Sequence, residues 1–120
     1  MQIAISLQEN NGLDSAVSPI FGRCPYFMLY DSETGAFQIK ENSAKNAAGG
    51  AGVQAAQMVV NEGAQAVISG NLGPKAHSVL ASAQIKIFQC ESGNAKTALE
   101  QFQQQTLSSL SGPSTPMHSG

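Results

Sequence analysis

The residues of this chain with chemistry to offer gather round Ser69-Gly70-Asn71-Leu72-Gly73-Pro74-Lys75-Ala76-His77. Just before it, Val67-Ile68 is a short β-branched run of the size of a central strand, and Pro74, with its fixed φ and missing N–H, suits the first position of a helix. Gly70 to Gly73 is therefore read as a strand-to-helix turn. Such a turn exposes the first N–H groups of the helix, which together with the helix dipole attract an anion. Lys75 deepens that bias, because a cation in the first turn opposes the dipole by a few tenths to about 1 kcal/mol unless an anion offsets it. The plain alternative is an ammonium swung into water. His77 lies in the same turn, off the Ala76/Val79/Leu80 face. A neutral imidazole there has the chemistry to bind a metal or donate to a sulfide, and is otherwise a solvated helix histidine. The only other histidine is His118 near the end of the chain, so no metal site made by protein ligands alone is expected.

Gly50-Ala51-Gly52-Val53-Gln54-Ala55 fits the loose dinucleotide pattern G-x-G-x-x-A but fails its context. The glycines follow a polar loop, and the next strand runs into Gly70-Asn71, with no acid for a ribose. Gly70-x-x-Gly73-x-Lys75 is too short for a nucleotide phosphate loop and lacks its Lys-Ser/Thr pair. What survives is two glycine-led helix starts that offer backbone donors to an anion, or glycines that only permit tight turns. Catalytic machinery is harder to find. Asp14 and Asp31 are the only aspartates, and no nucleophile or paired-acid pattern accompanies them, so no enzymatic activity is expected. Cys24 and Cys90 are far apart and read as buried thiols, not as a zinc site or a disulfide.

Composition narrows the partners. Only 12% of the 120 residues are charged, against about a quarter in an ordinary domain, and the net charge is −2. Six lysines and arginines are too few for a nucleic-acid surface. No apolar run approaches the roughly 18 residues of a membrane span, and Met1 leads directly into a strand pattern, so a cytoplasmic protein with no membrane partner is expected.

The elements that must position these residues follow from periodicity. Gln2–Leu7 alternates as a strand, and Ser18–Pro25 is a loop rich in proline and glycine. Tyr26–Asp31 and Ala36–Glu41 form a hairpin across Ser32–Gly35, and Asn42–Ala48 crosses as a polar loop. From Gly52 the period becomes helical, with Val53, Ala56 and Val60 on a stripe that stops at Glu62-Gly63. Ala66–Gly70 is a strand, a helix follows with Ala76, Val79, Leu80 and Ala83 on one face, and Ile85–Gln89 is a fifth strand. Asn94 is a plausible N-cap for a helix with Ala95, Ala98, Leu99 and Phe102 on one face. The order βββαβαβα implies an α/β domain over residues 1–106, a five-stranded mixed sheet with its first three strands antiparallel and the later ones parallel, and helices on the faces. Residues 107–120 are expected to be a flexible tail. Ligands of such sheets sit outside the carboxyl ends of the strands.

At Phe21-Gly22-Arg23-Cys24-Pro25-Tyr26-Phe27, Gly49-Gly50-Ala51-Gly52 and Ser69–Ala76 the chain resembles the dinitrogenase iron–molybdenum cofactor biosynthesis family, over about Met1 to Phe102. The resemblance implies a ribonuclease H-like fold and a non-catalytic carrier of an anionic, molybdenum-containing metal–sulfur cluster. That guest would be a molybdenum–copper sulfide or an iron–molybdenum cofactor precursor, held without covalent attachment and handed on to protein partners. Carried over by position, the family's Gly-Arg pair falls on Gly22 and Arg23, its glycine-rich helix start on Gly49, Gly50 and Gly52, and its Gly-x-x-Gly-Pro loop on Gly70, Asn71, Leu72, Gly73 and Pro74. Arg23 and Lys75 would supply positive charge, and Ile20, Phe21 and Leu72 apolar walls. The resemblance leaves the role of His77 open. A monomer is expected. The competing expectation is a protein-interaction module that uses the same loops, with any cluster incidental.

Overall fold

A computed structural model describes residues 1–90 and 92–110. Strands β1 (Gln2–Leu7), β2 (Tyr26–Asp31), β3 (Phe37–Glu41), β4 (Ala66–Ser69), β5 (Lys86–Gln89) and β6 (Ser108–Ser109) make one sheet in the order β3-β2-β1-β4-β5-β6. The hairpin side is antiparallel, β1 with β2 and β2 with β3, whereas β1, β4 and β5 run parallel. Helices α1 (Ala51–Asn61) and α2 (Pro74–Ser82) pack on each other over one face, and α3 (Ala95–Gln103) covers the other. A short 3-10 turn at Gly12–Asp14 leans on α3.

The two faces follow from the period-2 alternation of the strands. In β1, Ile3, Ile5 and Leu7 point to the α3 side, where Met28, Ile68, Ala98 and Leu99 meet them. Ala4 points the other way, to Phe27, Leu29, Val67 and the helix residues Ala55, Ala56, Val59, Ala76 and Leu80. Small alanines along α1 and α2 let both helices lie close to the sheet, so their amino ends arrive side by side above the carboxyl ends of β1 and β4. Two local signals behave as their chemistry demands. Gly63 takes φ +80 and closes α1, and Asn94 caps α3 in a reciprocal box with Thr97.

The expected five-stranded sheet needs correction to six strands, and the order to βββαβαβαβ. Ser108 and Ser109 pair antiparallel with Gln89 and Phe88, and the Leu110 N–H donates to the Ile87 carbonyl. A two-residue polar strand has no alternation to read. It is held instead by Leu107 on the α3 side of the sheet and Leu110 on the α1/α2 side. The tail predicted from residue 107 is corrected with it: Leu107–Leu110 belong to the fold, and residues 111–120, His118 among them, lie outside the described residues. No helix among the described residues is long and apolar enough to cross a membrane.

Candidate functional site

The site starts from two serines. Ser6 and Ser69 close β1 and β4 on the α1/α2 side, both fully buried, with their hydroxyls 2.7 Å apart. The Ser6 hydroxyl donates to the Ser69 Oγ, a buried bond that ties the strand ends together. The loop after β1 returns across this pair. The Ser18 N–H donates to the Ser6 carbonyl (2.8 Å), Gly70 donates to the Ser18 carbonyl (3.1 Å), Asn71 to the Pro19 carbonyl (2.7 Å) and Phe21 to the Asn71 carbonyl (3.1 Å). Gly70 is required here because a Cβ on it would overlap the backbone of Pro19. The two loops are thus stitched edge to edge.

The next segment is brought in by a second close approach. A Cβ on Gly22 would lie 2.9 Å from the Gly52 backbone, and one on Gly52 would touch Ala76 at 3.4 Å. Glycine at 22 and 52, with alanine at 76, lets the Gly22-Arg23 loop, the start of α1 and the start of α2 converge. Gly50 caps α1 in the left-handed conformation, φ +69, and Gly73 with Pro74 opens α2.

Between them lies a cleft of about 720 Å³ lined by Ile20, Phe21, Gly22 and Arg23, by Gly50–Val53, and by Asn71, Gly73–Ala76 and Ser78. Of the residues singled out in the sequence, the structure brings Ile20, Phe21, Gly22, Arg23, Gly50, Gly52, Asn71, Gly73 and Lys75 to this cleft. Gly49, Gly70, Leu72 and His77 are not in its lining. Gly49 is exposed beside Gly50, and Gly70 is buried under Pro19. Leu72 is core, packed with the α1/α2 cluster. His77 is half-buried on α2, outside the cleft.

Among the described residues, Arg23 and Lys75 are the only ionisable groups in the lining, and no carboxylate belongs to it. Among the described residues neither forms an ion pair; those found join Lys40 to Glu62, Lys45 to Glu41 and the amino terminus to Glu33. The Arg23 guanidinium donates to the Lys45 carbonyl at 3.0 Å. Beneath it Asn42, fully buried, donates from Nδ2 to the carbonyls of Gly22 and Cys24, each at 2.9 Å, and accepts from the Ala44 N–H at 3.0 Å. Cys24 is turned into the core, and burial pushes its thiol up to about 12. Burial also raises Cys90, on the α3 side. Among the described residues no three of His, Cys, Asp and Glu gather as a metal site.

Sequence reasoning missed Asn42, Ser6 and the cleft residues Val53 and Ser78, while Ala51, Ser69, Pro74 and Ala76 stood inside the quoted motifs. Asn42 left one signal: Asn beside Ser after a strand favours a turn in which the side chain accepts from the N–H two residues on, as Ala44 does here.

An α/β domain with a cleft outside the carboxyl ends of its parallel strands, lined by two helix starts, Arg23 and Lys75, is the class that this geometry defines. The family model described as dinitrogenase iron-molybdenum cofactor matches residues 1–105, and the chain belongs to that family. An uncharacterised protein of Methanocaldococcus jannaschii is 33% identical over 105 residues, 85% of each chain. Among solved structures, the apo form of the orange protein from Desulfovibrio gigas superposes with a TM-score of 0.90 at 32% identity, over 95% of this chain and 96% of that one. A Thermotoga protein proposed to be NifB gives 0.83 at 31%, over 95% and 97%.

Proposed function

We propose that this protein is a non-catalytic carrier that holds a preformed, anionic, molybdenum-containing sulfide cluster in the cleft between Arg23 and Lys75. The observation that carries the reading is the convergence of three distant segments on one cleft that joins two helix amino ends to two cations and no acid. Donors at helix starts and guanidinium or ammonium groups bind sulfide-rich anions from outside, without a metal–protein bond. Coordination by the chain itself has little support: Cys24 is a buried neutral thiol and His77 lies outside the cleft. A cluster held here would keep all its metals capped by its own sulfides. Family membership and the likeness to the orange protein support a cofactor-related cargo. Ile20 is 46% exposed at the rim, which suits contact with a protein that delivers or takes the cluster. The residues named in its lining come from one chain, and the carrier is taken to act as a monomer.

The experiment is titration of the protein with tetrathiomolybdate, with and without cuprous ion, followed by visible absorption and backbone amide shifts. Saturable binding with shifts at Gly22, Arg23, Gly52 and Lys75 is expected. Charge-assisted hydrogen bonds contribute about 1.5–3 kcal/mol each, so the double variant Arg23→Ala/Lys75→Ala should bind about 100-fold or more weakly with an unchanged Tm. Wild-type affinity in that variant would remove the electrostatic basis of the proposal.

A further inference from the structure

Asn42 is a polar side chain with no exposure at all, set in a loop between β3 and α1 and outside the cleft lining. Its donors do not serve its own loop. Both Nδ2 hydrogens go across to the Gly22 and Cys24 carbonyls, which bracket Arg23. With the Gly22–Arg23 peptide bond trans, the N–H of Arg23 lies opposite the Gly22 carbonyl. Drawing that carbonyl inward to a buried amide turns the Arg23 N–H outward, and removes two carbonyl dipoles from the neighbourhood of an anion. The acceptor side of Asn42 works on the other partner of Arg23. Oδ1 receives the Ala44 N–H, and the Asn42 carbonyl receives the Lys45 N–H at 3.2 Å, which forms the turn that presents the Lys45 carbonyl to the guanidinium.

We propose that Asn42 is the positioning residue of the cleft: one buried amide sets both the backbone and the side-chain anchor of Arg23, so that the arginine meets an anionic guest already oriented. A serine in its place has one donor for two carbonyls, and an aspartate has none. This inference rests on the carrier reading, and it concerns geometry that exists before any guest arrives.

The first arm of the test measures tetrathiomolybdate affinity in a cycle of Asn42→Ala, Arg23→Ala and the double variant. Asn42→Ala is expected to weaken binding at least about tenfold in the wild-type background, and less than about threefold once Arg23 is gone, because coupled residues do not add. An equal factor in both backgrounds, or wild-type affinity in folded Asn42→Ala, overturns the proposal. Leu99→Ala, a core truncation on the α3 side of the sheet, should leave affinity unchanged and so separates positioning from general loss of stability. The second arm needs no variant. In the apo protein, the side-chain amide hydrogens of Asn42 should exchange with solvent orders of magnitude more slowly than those of exposed Gln57; equal rates overturn the proposal even if every Asn42 variant fails to fold. If the wild type does not take up tetrathiomolybdate, the carrier reading falls, whereas slow exchange at Asn42 still upholds the clamp.

Discussion

At the scale of single residues, the cleft is governed by what has been kept out of it. A thiol three residues from Phe21 invites the idea of a thiolate ligand, but Cys24 is buried in the α1/α2 core cluster, and its Sγ donates to the Tyr26 carbonyl at 3.3 Å. Desolvation outweighs those hydrogen bonds and raises the thiol from 9.0 to about 12. Two outcomes follow. Native protein at pH 8 should resist iodoacetamide at Cys24, while denatured protein reacts at once; fast native alkylation would restore the thiolate as a candidate ligand. The second outcome is linked to pH. Below 9 the thiol is neutral in both folded and unfolded chains; from 9 to about 12 only the unfolded chain ionises, so stability falls as pH rises through that window. Urea melts of wild type and Cys24→Ala should therefore converge between pH 9 and 12, the wild type having the steeper loss.

At the scale of elements, what could be read in the sequence was whatever local physics decides. The hairpin, α1 with its glycine stop, Pro74 at the head of α2 and Asn94 at the head of α3 each depend on neighbours a few residues away, and each stands where periodicity and capping put it. The convergence of Gly22, Gly52 and Ala76 was legible only through motif resemblance, because close backbone approach leaves no periodic trace. β6 and Asn42 were not legible as structure: one is two serines waiting for a sheet edge, the other a polar side chain whose partners lie 18 and 20 residues away. The division of labour between the faces is testable. Asn94→Ala removes the bond to the Thr97 N–H (2.9 Å) and should cost about 1 kcal/mol. Because α3 packs on the sheet face opposite α1 and α2, tetrathiomolybdate affinity should stay within about twofold. A large loss of affinity would mean that the two faces are mechanically coupled.

At the scale of the whole molecule, a chain of net charge −2 carries a cleft whose described lining holds two cations and no acid. Among the described residues the acids lie outside the cleft lining: Glu41 and Glu62 are tied to Lys45 and Lys40, and Glu33 sits at the β2–β3 turn near the amino terminus. That arrangement confines the attraction to short range, since the long-range field of the molecule is weakly repulsive to anions. Attraction from exposed Arg23 and Lys75 is also open to screening, and the Debye length shrinks from about 10 Å at 0.1 M salt to about 3 Å at 1 M. Helix-start N–H groups bound directly to a guest are screened far less. Affinity for tetrathiomolybdate should therefore fall with added sodium chloride and level off above zero, the slope reporting the two side chains and the plateau reporting the backbone donors. In Arg23→Ala/Lys75→Ala the slope should flatten while a weak plateau persists. A wild-type affinity indifferent to salt would assign the binding to the apolar walls of Ile20, Phe21 and Val53, and would reduce the two cations to ornaments of the rim.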